Sequence, residues 1–189
     1  MGAMEKPRKI FIPLSDGFEE TEAITTIDIL RRGGIEVTTV STSDNLLVKG
    51  GHAIFLRALE SINHIDAESY DAIAIPGGMA GTRTNQKCQR LLEIIRSLHE
   101  RGCLVAAICA APIVLESAGV FTPETRFTCY PGIESECPTP RHADGDVVVD
   151  GNIITSRGPG TSARFALELV RHLAGDEVAR QVAEGFLLV

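Results

Sequence analysis

The chain has 189 residues, enough for one domain with a sizeable core. Its hydrophobic fraction of 44% and charged fraction of 23% are ordinary for a globular domain, and no apolar run approaches the ~20 residues that cross a bilayer. A net charge of -7 argues against a nucleic-acid-binding surface.

The N-terminus has basic residues but no apolar stretch of the kind found in secretory signals, and Lys6 stands where myristoylation wants Ser or Thr. Residues 1–6 read as a flexible lead-in, with Met1-Gly2-Ala3 ahead of Met4 resembling an expression remnant. The whole of 1–189 reads as a single domain. The five cysteines (Cys88, Cys103, Cys109, Cys129, Cys137) are odd in number and lack C-x-x-C spacing. That pattern predicts free thiols in a reducing compartment, read as the cytoplasm, with no metal site.

In chain order, Lys9–Leu14 predicts a first strand and Ser15-Asp16-Gly17-Phe18 a turn into a helix. Glu19, Glu20 and Glu22 suit the helix dipole there, and Ala23, Ile24, Ile27, Ile29 and Leu30 form an apolar stripe up to the Gly33-Gly34 stop. Residues 36–40 predict a second strand, and hence a right-handed parallel crossover. Lys49-Gly50-Gly51 marks a hairpin within 45–56. Residues 71–75 predict a buried strand ending in Pro76-Gly77-Gly78, where the backbone can turn tightly and approach a ligand. Residues 85–101 predict one helix with Leu91, Leu92, Ile94, Ile95 and Leu98 inward.

Leu104–Ile108 has no polar alternation and reads as a buried parallel strand, while Pro112 suits the first turn of a following helix closed by Gly119. Cys109 therefore stands at a strand-to-helix corner. From 122 to 144, with Pro123, Pro131, Pro138 and Pro140, the pattern is mostly loop around one short strand near Phe127. Residues 146–155 predict a second hairpin, and helices follow at 163–173 and 176–183. The sum is an α/β fold of flavodoxin-like type: an open, mostly parallel sheet with helices on both faces and hairpin insertions.

Ligands bind at the carboxyl edge of such a sheet, where Cys109 ends one strand and Gly77-Gly78 another. A thiol near a helix N-terminus can have its pKa lowered from about 8.5 to between roughly 3.5 and 7.5. The plainer reading of Cys109 is a small buried hydrophobe. Gly77-Gly78 could aim backbone N–H groups at an oxyanion, and an acid after the first strand could hold the sulfur and move protons. For most of Glu19, Glu20 and Glu22 the plainer reading is a solvated helix start.

These stretches carry a resemblance. Gly17-Phe18-Glu19-Glu20-Thr21-Glu22, Arg31-Arg32-Gly33-Gly34-Ile35, Pro76-Gly77-Gly78, Ala106-Ala107-Ile108-Cys109-Ala110 and residues 155–161 resemble the ThiJ/PfpI family, above all its parkinsonism-associated deglycase branch. The resemblance implies Cys109 as a reactive nucleophile on a strained elbow and Glu22 as the protonated acid bonded to its sulfur. It implies Gly77, Gly78 and Ala110 as backbone donors of an oxyanion pocket. It places His52 in a hairpin that approaches the pocket in relatives, and it implies a homodimer.

The chain departs from the family at Thr128-Cys129-Tyr130-Pro131, where relatives often carry Thr-His-Pro. Tyr130 takes the histidine's place, and a tyrosine, titrating near 10, is a poor base at neutral pH. Ala110 stands where the peptidase branch has a histidine, which counts against a peptidase or amidase. The expected function is cysteine-dependent, cofactor-free chemistry on a small aldehyde or glycated substrate, of glyoxalase or deglycase type. The alternative is an oxidative-stress sensor or redox-regulated chaperone acting through oxidation of Cys109, with Cys129 either a resolving thiol or an inert loop cysteine.

Overall fold

The computed structural model describes residues 8–188; the expectation for 1–6 lies outside them. In chain order the strands are β1 (Lys9–Leu14), β2 (Glu36–Ser41), β3 (Leu47–Lys49), β4 (Phe55–Arg57), β5 (Glu60–Ser61), β6 (Ala72–Ile75), β7 (Leu104–Ile108), β8 (Arg126–Phe127), β9 (Arg141–His142), β10 (Val147–Asp150) and β11 (Ile153–Ser156). Seven of them form the main sheet in the order β10-β11-β7-β6-β1-β2-β5, parallel except for the edge strand β10. Strands β1, β2, β6, β7 and β11 thus run in the 2-1-3-4-5 order of flavodoxin-like folds, with the reversal of strand order between β1 and β6.

The helices are α1 (Glu20–Arg32), α2 (Met79–Asn85), α3 (Gln89–Glu100), α4 (Pro112–Ala118), α5 (Ser162–Ala174) and α6 (Asp176–Gly185). Alternation along the buried strands sends side chains to two cores. Phe11, Ile73, Ile75, Val105 and Ala107 face α3 and α4. Ile10, Ile12, Ala74, Ala106 and Ile108 face α1, α5 and α6. Each large aliphatic or aromatic chain buried this way contributes about 1.5–3 kcal/mol, so the central strands are the rigid base of what stands at their ends.

The structure refines the sequence expectations in three places. The helix expected over 85–101 is α3, which begins only at Gln89, and the short helix α2 ahead of it is an element the sequence pattern does not predict. The hairpin expected over 146–155 forms from β10 and β11, and it extends the main sheet, because β11 pairs with β7. The short strand expected near Phe127 is β8, and it meets a second short strand, β9. The other hairpin forms as expected, from β3 and β4.

Candidate active site

The carboxyl ends of β1, β6 and β7 converge on one corner. Strand β7 stops at Ile108, and Cys109 follows with φ of 66°, a left-handed conformation that L side chains adopt only when the surroundings impose it. Two backbone bonds impose it here. The Cys109 N–H donates to Ser156 O at 2.9 Å, and the Tyr130 N–H donates to Cys109 O at 3.0 Å. The corner is therefore held by β11 on one side and by the loop after β8 on the other. Cys109 is half-buried and packs against both cores.

Glu22 lies in the first turn of α1 and is fully buried. Its Oε2 accepts the Gly77 N–H at 2.7 Å, and its Oε1 is buried with no hydrogen-bond partner. The Cys109 sulfur faces the same carboxyl group, and a methyl group on Gly77 would lie 2.7 Å from Cys109 Cβ and 2.8 Å from Glu22 Oε2. Burial raises the Glu22 pKa from 4.5 to about 7, against the lowering effects of the Gly77 and Cys109 hydrogen bonds, with the charge of Glu19 adding to the rise.

Opposite an ionised Glu22, the Cys109 thiol is pushed up to about 12, first by burial and then by the carboxylate's charge and hydrogen bond. The amides of Ala110 and Gly78 point at the sulfur and act the other way. The sequence expectation of a thiolate made by a helix N-terminus is thus corrected: α4 begins only at Pro112, and burial outweighs the amides. The proton shared with Glu22 decides the sulfur's charge. With the carboxyl neutral, two of the three influences that raise the thiol disappear.

The glycine pair divides its work. Gly77 gives its N–H to Glu22 and is not free for an oxyanion, a correction to the three-donor expectation. Gly78 and Ala110 remain as the two amides at the sulfur. Gly78 has φ of 87°, and a side chain there would collide with Gly17 O. The loop from β1 and the loop from β6 can pack this closely only because residue 78 has no Cβ.

The three acids are not a solvated helix start. Glu19 caps α1, its Oε2 accepting the Glu22 N–H at 2.7 Å, and its own N–H donates to Gly77 O at 3.0 Å. Glu20 is buried and grips the β3–β4 hairpin: Oε1 accepts the His52 N–H at 2.6 Å and Oε2 meets His52 Nδ1 at 2.8 Å. Burial pushes the Glu20 pKa up, but these bonds, with one from the Ile54 N–H, hold it below the usual carboxylate value. The hydrogen bond and charge of Glu20 raise His52 in turn. A Cβ on Gly50 would overlap Glu20 Oε1, so a side chain there would displace the Glu20 carboxylate from its grip. Among the described residues, Glu19, Glu20 and His52 form a group whose ligand atoms, all within 4.8 Å, could hold a metal ion; those oxygens are engaged in the helix cap and the hairpin grip.

The side chain of His52 is three-quarters exposed and turned to Glu20, so the structure places it beside the site loops and not against the sulfur. Tyr130 reaches the site through its backbone, and its half-exposed ring lies over Gly158, where a Cβ would come 3.4 Å from the ring. Cys129 points into the core, with Sγ 3.9 Å from Glu134 Oε2, and burial pushes its thiol up to about 12. The residues that sequence reasoning missed are the clamps, Ser156 and the backbone of Tyr130, and the grip of Glu20. Carbonyl and amide contacts leave no side-chain pattern to find.

The chain is similar to known proteins along most of its length. Drosophila melanogaster protein dj-1beta is 36% identical over 183 residues, covering 96% of this chain and 97% of its own length. Its crystal structure superposes with a TM-score of 0.93 at 35% identity, covering 96% of this chain and 98% of that one. The Caenorhabditis elegans protein named glutathione-independent glyoxalase DJR-1.2 is 34% identical over 179 residues, covering 93% of this chain and 92% of its own. The model of the DJ-1/PfpI family matches residues 8–172, and the chain belongs to that family.

Proposed function

We propose that the protein performs cofactor-free carbonyl chemistry at Cys109, converting methylglyoxal or glyoxal, or early glycation adducts of these aldehydes, to the hydroxy acid. The observation that carries this reading is a cysteine that is not fully buried, set against a carboxyl group of pKa about 7 and two converging amides. The glyoxalase named in Caenorhabditis elegans supports it.

In this reading Cys109 Sγ bonds to the aldehyde carbon while its proton passes to Glu22. The developing alkoxide is met by the amides of Gly78 and Ala110 and takes the proton back, giving a hemithioacetal. Glu22 then removes the proton on that carbon and returns it to the neighbouring carbonyl carbon, while the hydroxyl proton of the first carbon passes to the oxygen of the second, giving a thioester of the hydroxy acid. Water cleaves the thioester and restores the thiol. The net change is addition of one water, so no redox partner is needed. A carboxyl group titrating near 7 suits both removal and delivery of a proton at neutral pH. No step uses Tyr130 as a base.

The test is incubation of the purified protein with methylglyoxal and measurement of lactate. Cys109→Ala is expected to abolish product, and Glu22→Gln to slow it by about 10²–10⁴-fold. No lactate, or equal lactate from Cys109→Ala, rejects the reading.

The same corner supports a second reading, a redox sensor. A sulfinate at Cys109 would find the Gly78 and Ala110 amides and a protonated Glu22 as donors. Mild peroxide should then add two oxygens at Cys109 before any other cysteine, and oxidation spread over all five thiols would count against it. For assembly we propose a homodimer through the outward face of the β3–β4 hairpin, where Leu47 and Phe55 are exposed. The five free thiols fit a reducing compartment such as the cytoplasm, and among the described residues no helix is long and apolar enough to cross a membrane.

A further inference from the structure

Behind the Glu22 carboxyl, on the side away from solvent, lies a narrow internal space walled by Ile12, Ala74, Pro76, Ile108 and Phe165. Three residues of α1, Glu22, Ala23 and Thr26, complete its lining. Two of them carry a buried oxygen with no hydrogen-bond partner: Glu22 Oε1 and Thr26 Oγ1. The coincidence matters because orphaned buried oxygens are rare, and each costs about 1–3 kcal/mol if left unpaired. Water cannot satisfy them, since the space admits no water-sized sphere.

The spacing supplies another answer. Residues 22 and 26 are four apart on one helix, and such side chains are neighbours on its surface. A helical threonine has two accessible χ1 positions, because its hydroxyl can turn toward the preceding helical turn. Here it does not bond the carbonyl behind it. We propose that Thr26 is a positioning residue for the acid of the site, its hydroxyl donating to Glu22 Oε1 whenever the carboxyl is ionised. This deepens the Proposed function and rests on its pairing of Cys109 with Glu22.

The charge relations around Glu22 give the sign. Cys109 from the β7–α4 corner and Glu19 from the start of α1 are the titratable groups that act on it, and the Gly77 N–H from the end of β6 is its fixed donor. The other walls are apolar. A donor aimed at the carboxylate favours the charged form, so Thr26 holds the Glu22 pKa down. Its removal lets Glu22 keep its proton to a higher pH.

The experiment follows Cys109 alkylation by iodoacetamide against pH, with the modified peptide quantified by mass spectrometry. The wild-type rate should inflect where Glu22 titrates. Thr26→Val, which keeps the shape and loses the hydroxyl, should move that midpoint up by about one pH unit. Thr26→Ser should restore the wild-type midpoint, which a purely structural role would not require. If Thr26→Val does not fold, Thr26→Ala carries the same comparison. A wild-type midpoint in the valine or alanine variant overturns the role of Thr26. A Glu22→Gln profile identical to wild type overturns the Cys109–Glu22 pairing as well. Absence of lactate formation leaves this readout intact, so failure of the glyoxalase reading is seen separately.

Discussion

A carboxyl group that prefers its proton in the folded protein makes stability depend on pH. The Glu22 pKa is about 7 in the fold against an ordinary 4.5, so the folded state binds more protons than the unfolded chain between those values. The stabilisation is fully present below pH 4.5 and is lost as pH rises through 7. At about 1.4 kcal/mol per pH unit, the span between the two pKa values is worth up to about 3 kcal/mol. Urea unfolding at pH 5 and pH 8 should therefore show wild type losing stability relative to Glu22→Gln over that interval. A constant difference between the two proteins would contradict the buried proton. The position of Cys109 at a strand-to-helix corner was legible in the sequence, whereas the choice of Glu22 over Glu19 and Glu20 came only from the family resemblance, because all three acids suit a helix start. The direction of the Cys109 pKa was not legible, since it depends on burial and on an acid 87 positions earlier in the chain.

The elements around the site vary in how far their own residues specify them. Strand β7 is an unbroken apolar run, and α3 has a clear inward stripe, so both were readable. Helix α2 was not. Its sequence, Met79–Asn85, holds a glycine and two threonines, poor helix formers, and it begins at Gly78 without a side-chain cap. Packing supports it instead: a Cβ on Gly81 would lie 3.0 Å from Phe18 N, and Ser15 Oγ donates to Asn85 Oδ1 at 2.5 Å. Both contacts join segments more than 60 residues apart, which no local window contains. The β3–β4 hairpin is similarly dependent on Glu20. Glu20→Gln should weaken the charge-assisted bonds to His52 and cost roughly 1.5–3 kcal/mol. Limited proteolysis should then cut between residues 50 and 57 faster than in wild type; equal rates would mean that the hairpin is held by other contacts.

At the scale of the molecule, the 2-1-3-4-5 arrangement explains why residues from positions 22, 77–78 and 109 meet. Strands β1, β6 and β7 are consecutive in the sheet, so whatever follows each of them shares one edge. This part of the fold followed from counting β-α units. The incorporation of the second hairpin into the sheet did not, because a hairpin's pattern is the same whether it stands alone or extends an edge. The exposed hairpin face belongs to this scale too. Leu47 and Phe55 are 50% and 57% exposed on one side of the hairpin, and Ile24 of α1 is 45% exposed. Sedimentation should give twice the chain mass of 20.3 kDa, and Phe55→Asp with Leu47→Asp should give one chain mass. An unchanged dimer in that double variant would place the contact elsewhere.

The two amide clamps on Cys109 join the corner to parts of the chain with very different support. Ser156 belongs to β11, deep in the sheet, whereas Tyr130 begins an irregular, proline-containing stretch. Deuterium uptake should register the contrast. The Cys109 amide should exchange only with global opening, while the Tyr130 amide should exchange through a smaller local excursion. Each such excursion would release the Cys109 carbonyl and let the left-handed residue relax. The lifetime of the competent corner would then be set by a surface loop more than 20 positions downstream of the sulfur.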